Sequence, residues 1–238
     1  MAEDYYSVMI RKALESLKKG NFVLVYDADG REEETDFVIA SEFVNPETIK
    51  AMRKNGGGLI CATIYYPVAK KLGLPFLSEM FDNISSSYKV LKVLKANDIP
   101  YDSKSSFSLT INHRKTFTGI TDLDRSLTIL EFARMIKKYK DSDDGVMIHE
   151  FGKNFRSPGH VHLLCTSNDL LKSRKGHTEL STALMLMAKL APSATICEMM
   201  GDNGSSLTKN EAKKYAEKNS LVFLEGKEIL EAWEKWSG

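Results

Sequence analysis

The chain has 238 residues, with 33 Lys+Arg against 32 Asp+Glu, 42% hydrophobic and 9% aromatic residues. So even a charge balance excludes the broad basic field that gathers a protein onto nucleic acid or an anionic membrane, and any phosphate has to be held at a local site. Cys61, Cys165 and Cys197 lie far apart with no CxxC pair, which excludes a disulfide framework or zinc knuckle and fits a reducing compartment. With no signal-peptide pattern and no bilayer-length apolar run, the expectation is a cytoplasmic protein with one domain over residues 1–238.

In chain order, Ile10, Leu14 and Leu17 at helical spacing ahead of Gly20 predict a helix over residues 7–19. FVLVY at 22–26 and FVIAS at 37–41 read as strands flanking a polar loop. Asn45, Pro46 and Glu47 are an N-cap, an N1 proline and a first-turn acid, opening a helix that reaches the glycines at 56–58. LICATI at 59–64 follows as a buried strand. FSLTIN at 107–112 alternates like a strand, and Leu127, Leu130, Met135 and Ile136 mark a helix over 124–139. HVHLLCT at 160–166 and TICEM at 195–199 read as strands around a helix over 178–190. Thr208 and Glu211 form a capping-box pattern, followed by LVFL and a last helix with Trp233 and Trp236. Mixed strands and helices without strict βαβ alternation argue for a layered α+β fold, expected as a three-layer α/β/α arrangement around a mixed twisted sheet.

Three features could carry chemistry. DADGREEETD at 27–36 packs six acids into ten residues around Arg31; it is either part of a divalent-cation site or a solvated hairpin tip. RKGHTE at 174–179 opens an apolar helix. Thr178 is its N-cap or lies in its first turn, and Arg174 beside free amides suits an anion, although an ordinary capped helix gives the same local pattern. Glu198 is an acid in an apolar strand, so it needs an ion-pair partner or a raised pKa suited to proton transfer. His160 precedes a strand, and His162 reads as structural. No GxGxxG, P-loop or HExxH pattern occurs.

Taken together, D-x-x-x-R-E-x-E-x-D at 27–36, GGGLIC, TGIT with the following DR, PGHV, R-x-G-H-T-E and ICEMM followed by DNG resemble, in this order, the 3,4-dihydroxy-2-butanone 4-phosphate synthase family. The similarity covers nearly the whole chain, without the GTP cyclohydrolase II domain that many relatives carry. The length and the RKTFTGIT wording resemble archaeal members. Phe117 before the Thr-Gly and a longer, polar 141–157 segment depart from the commoner bacterial pattern.

The resemblance implies a lyase that converts ribulose 5-phosphate to L-3,4-dihydroxy-2-butanone 4-phosphate and formate for riboflavin synthesis. It implies Glu32 and His177 as protein ligands of Mg²⁺ or Mn²⁺, and Arg31, Glu32 and Asp36 as residues holding the sugar. The turn of Arg174, Lys175, Gly176, His177 and Thr178 is implied to bind substrate, including its phosphate. His160 and Glu198 match the positions essential to catalysis, with Glu198 also at the substrate; Glu34 and Asp36 are further candidates for the proton transfers. The partners implied are a small sugar phosphate and a second copy of the chain in a homodimer, with neither nucleic acid nor membrane. A metal-dependent isomerase or aldolase, and a non-catalytic sugar-phosphate binding module, are the rival readings of the same residues.

Overall fold

Several helices open on the caps that the sequence supplies. The computed structural model of the chain describes residues 6–237, and among these the order is α1 (Val8–Lys18), β1 (Val23–Tyr26), β2 (Thr35–Ala40), α2 (Pro46–Asn55), β3 (Cys61–Ile64), α3 (Tyr66–Lys71), α4 (Leu77–Ile84), α5 (Val90–Val93), β4 (Phe107–His113), α6 (Asp122–Tyr139), α7 (Asp144–Asn154), β5 (Phe155–Cys165), α8 (His177–Met187), β6 (Ala194–Glu198), α9 (Lys209–Lys218), β7 (Val222–Glu225) and α10 (Gly226–Ser237). In α1 the Ser7 hydroxyl accepts the Ile10 amide, and Ile10, Ala13, Leu14 and Leu17 are buried on one face. Asn45 and Thr48 close a capping box at the start of α2, and Thr208 and Glu211 close another at α9.

The strands form one mixed sheet in the order β4-β5-β3-β6-β2-β1-β7. Only β3 with β5 and β1 with β7 run parallel; the other neighbours are antiparallel. β2 is buried at all six positions because the sheet is covered on both sides. Its successive side chains point to opposite faces: Phe37 and Ile39 join one apolar cluster with α2, α3, α6, α7 and α9, while Val38 and Ala40 join another with α1, α8 and α10. Each fully buried Phe, Ile or Val side chain contributes roughly 1.5–3 kcal/mol, so both helical layers are held by the sheet they cover. The three-layer α/β/α arrangement is therefore present. Among the described residues no helix is long and apolar enough to cross a membrane.

The structure adds elements the patterns did not indicate. α3, α4 and α5 lie between β3 and β4, and neither α4 nor α5 buries a residue, so no apolar face marked them. The polar segment before PGHV contains α7, which buries only Met147. β5 starts at Phe155, five residues before the expected strand, in a stretch whose Pro158 and Gly159 read as a turn.

Candidate active site

The antiparallel pair β1 and β2 holds the acidic loop at its end, and Asp27 organises that loop. Its side chain is buried; Oδ2 accepts from the Glu32 amide and Arg31 Nη1, both at 3.0 Å, and Oδ1 accepts from the Glu34 amide at 3.1 Å. Three hydrogen-bonded or paired groups around one carboxylate resolve the self-repulsion expected of the sequence. The acids divide by direction. Asp29 is exposed, accepting from the Tyr26 hydroxyl and paired with Lys209, while Glu32 and Asp36 turn inward.

Those inward acids meet the first turn of α8. Gly176 is the N-cap and has no side chain to offer, and Thr178 lies in the first turn rather than capping. A Cβ on Gly176 would fall against the guanidinium groups of Arg174 and Arg31, so only glycine lets both cover this turn. The buried His177 faces Glu32 Oε2 with Nδ1 at 3.2 Å, and its Nε2–H donates to the Glu34 carbonyl at 3.2 Å. Asp36 Oδ1 lies 3.7 Å from Nε2. Burial alone would disfavour the imidazolium, but Asp36, Glu32 and Asp27 outweigh it and raise the His177 pKa to about 9. Glu32 is half-buried, yet His177, Arg31 and Arg174 hold it down to about 2.

On the opposite wall Glu198 ends β6, directly across the ladder from Asp36. Leu59 N–H donates to Glu198 Oε1 at 3.3 Å, and a Cβ on Gly57 would strike the Glu198 carboxylate, so this close approach requires glycine at 57. Burial raises the Glu198 pKa, and burial with the charges of Glu198, Glu32 and Glu34 raises Asp36 to about 7. The sequence alternative of a structural ion pair thus gives way to the raised pKa: Glu198 forms none of the ion pairs of the described residues. Cys61 lines the same wall, its thiol pushed up by burial and so inert.

Arg31, Glu32, Asp36, Arg174, His177, Thr178 and Glu198 all line one cleft of about 530 Å³. Lys175 is exposed and Gly176 lies beneath the guanidiniums, both outside the lining. His160 is also outside it. Asn112 of β4 pairs with Arg156 while its neighbour Ile111 pairs with Val161, so residues 157–160 stand out of the ladder and His160 is exposed. There the His160 amide donates to Asn112 Oδ1 at 2.9 Å and its Nδ1 lies 3.1 Å from Asn112 Nδ2. His162 packs edge-on against Phe107 at 5.7 Å, as a structural residue would.

Sequence reasoning missed Tyr101, Asp102 and Lys104, which line the cleft from an irregular stretch. Asp102 Oδ2 accepts from Arg31 Nη2 at 2.8 Å and from Arg174 Nε at 2.6 Å, and Arg174 Nη1 reaches the buried Glu179 at 2.6 Å. An isolated acid among serines and lysines carries no periodic signal that could have singled it out.

The donor set also fits a divalent ion. Asp27, Glu32 and His177 each offer a ligand atom within 4.8 Å of the others. The 3.2 Å between His177 Nδ1 and Glu32 Oε2 is close to the roughly 3.0 Å that separates adjacent ligands of an octahedral Mg²⁺ or Mn²⁺ with 2.1 Å bonds. With Nε2–H engaged by a carbonyl, Nδ1 is the nitrogen left for an ion.

A layered α/β/α sheet with a cleft that sets a carboxylate and an imidazole, spaced to suit a divalent ion, beside two guanidiniums and two carboxyls of raised pKa fits an enzyme acting on a small, oxygen-rich anion. The sequence model of 3,4-dihydroxy-2-butanone 4-phosphate synthase matches residues 11–232, and the chain belongs to that family. It is 49% identical to the 3,4-dihydroxy-2-butanone 4-phosphate synthase of Methanothermobacter thermautotrophicus, over 95% of this chain and 96% of that protein. It is 44% identical to that of Methanosarcina acetivorans, over 98% and 94% of the two chains. A solved 3,4-dihydroxy-2-butanone 4-phosphate synthase in complex with two magnesium ions superposes with a TM-score of 0.74 at 26% identity, over 96% of this chain and 98% of that one.

Proposed function

We propose that the cleft converts D-ribulose 5-phosphate into L-3,4-dihydroxy-2-butanone 4-phosphate and formate, the step that supplies the four-carbon unit of riboflavin. The observation that carries this reading is the Glu32–His177 pair at 3.2 Å with Arg31 and Arg174 on one side and the laddered carboxyls Asp36 and Glu198 on the other, in a chain of this family. A divalent ion held by Glu32 and His177, Mg²⁺ or Mn²⁺, supplies Lewis-acid polarisation of the substrate ketone and hydroxyl oxygens.

The protein's own residues do the rest. Arg174 and the first-turn amides at Thr178 hold the phosphate, anchoring one end of the substrate so that its reacting carbons lie against Glu198. Arg31 and Asp36 hold the sugar. A pKa raised to about 7 keeps Asp36 near the point where a carboxyl can both take and return a proton at neutral pH, and burial raises Glu198 in the same direction, toward the proton transfers that removal of a proton beside a ketone and the later loss of water require. His160 is the second acid or base. Because it lies outside its own cleft, its part is played in a homodimer, from the neighbouring copy. The near-even charge supports partners that are neither nucleic acid nor membrane, a sugar phosphate and a second copy of the chain, and the three scattered cysteines with no CxxC pair support a cytoplasmic setting.

Incubation with ribulose 5-phosphate and Mg²⁺ tests the reading. Formate and a four-carbon phosphate are expected in equal amounts, and a chelator is expected to stop both. A five-carbon isomer without formate would instead mean an isomerase.

A further inference from the structure

Asp102 is placed where the substrate's anion belongs. One oxygen of its carboxylate accepts from both Arg31 (2.8 Å) and Arg174 (2.6 Å), with its side chain only 12% exposed. Arg31 Nη1 is already shared by Asp27 and Glu32, and Arg174 Nη1 is held by Glu179. A dianionic phosphate brought to the same guanidiniums would stand beside a carboxylate that contributes the wrong sign of charge and occupies the donors it needs.

The segment bearing Asp102 is built to let go. Residues 98–105 exchange no backbone-to-backbone hydrogen bond among the described residues, so side chains attach them to the cleft. Those are Asp102 itself, Tyr101, whose ring lies 5.5 Å from the Arg31 guanidinium carbon, and Lys104, which pairs with Glu79. Behind Asp102 is a second cavity of about 540 Å³, which shares Asp102, Lys104 and Arg174 with the first and is lined also by Lys70. A carboxylate leaving the arginines therefore has space next to it, beside Lys70 and the Lys104–Glu79 pair, which line the same cavity.

We propose that Asp102 is a placeholder for the substrate phosphate: it occupies the Arg31–Arg174 seat in the empty enzyme and is displaced when the phosphate enters, so that it sets the affinity for phosphorylated substrate. This role rests on the proposed function in one respect, that Arg174 holds the phosphate. Displacement lowers the apparent affinity by the fraction of molecules whose seat is already free, and removing the placeholder restores it.

The test is calorimetric titration of the full chain, in Mg²⁺ buffer, with inorganic phosphate. Asp102→Asn, nearly the same shape without the charge, and Asp102→Ala are each expected to bind phosphate on the order of five- to tenfold more tightly than the wild type. The KM for ribulose 5-phosphate is expected to fall with them. Arg174→Gln is expected to lose phosphate binding. Weaker or unchanged phosphate binding in both Asp102 variants, with a raised KM, would overturn the placeholder and leave Asp102 as a clamp that aligns the arginines. Undiminished binding by Arg174→Gln would overturn it too, by removing the seat. A wild type that releases no formate while the variants keep the expected order would reject the proposed reaction and leave the placeholder standing.

Discussion

Glu198 concentrates the chemistry of the site in one side chain, and its environment separates a catalytic role from a structural one. An ion-paired carboxylate has a depressed pKa and loses stability when neutralised; Glu198 has a raised one, caused first by burial, so its charge is a cost to the fold. Glu198→Gln keeps an oxygen for the Leu59 amide and removes the exchangeable proton. The expected result is a fall in formate production on the order of 10²–10⁴-fold with thermal stability unchanged or raised. A variant retaining near wild-type activity would remove Glu198 from the proton transfers. This residue was legible because an acid in an apolar strand demands an explanation, an ion-pair partner or a raised pKa, and His177 and Arg174 were legible because they open an apolar helix. Asp27 was visible only as one acid among six. Its work, accepting from two loop amides and Arg31, depends on chain reversal that no spacing encodes.

At the scale of elements, what the sequence revealed tracks how much each one buries. α1, α2, α6 and α9 were found from a cap, an apolar spacing or both, and α8 from its apolar run alone, whereas α4 and α5 bury nothing and left no pattern. The end of β7 shows how polar contacts join elements that the apolar pattern places only singly. Glu225 pairs with Lys213 at 2.9 Å and Lys209 at 3.2 Å from α9, and with Lys227 at 3.3 Å from α10. The Lys213 hydrogen bond leads in holding the Glu225 pKa down to about 2, against 4.5 ordinarily. A carboxyl depressed in the fold stabilises it above its unfolded pKa and loses that contribution as pH falls through the folded one. Glu225→Gln is therefore expected to cost about 1 kcal/mol at pH 7, the scale of a partly exposed ion-pair network. The difference from wild type should shrink between pH 4.5 and 2. Urea titrations at pH 7 and near pH 3 read both quantities; an equal difference at the two pH values would assign the loss to packing rather than charge.

The whole molecule poses a question of distance, since the two residues expected to be essential, Glu198 and His160, are not on the same cleft wall. Glu198 lines the cleft; His160 stands on the outward excursion of β5, fixed there by Asn112, which also donates to the Thr118 carbonyl. Around that excursion the surface is apolar where a solvent face should be polar: Phe117 is 93% exposed, Leu123 70% and Ile120 50%. Exposed apolar side chains beside a catalytic candidate that misses its own cleft are both accounted for if two copies associate there by a two-fold axis and each lends His160 to the other. The consequence is quantitative. His160→Ala and Glu198→Ala chains are each expected to be inactive as homodimers. When equal amounts are unfolded together and refolded, half the dimers are mixed, and in each of those one cleft combines an intact Glu198 with an intact His160 from the other copy. About one quarter of wild-type formate production should return. If His160 served the cleft of its own chain, every cleft in the mixture would lack one residue and no activity would return, so the mixed assay separates a shared site from a self-contained one.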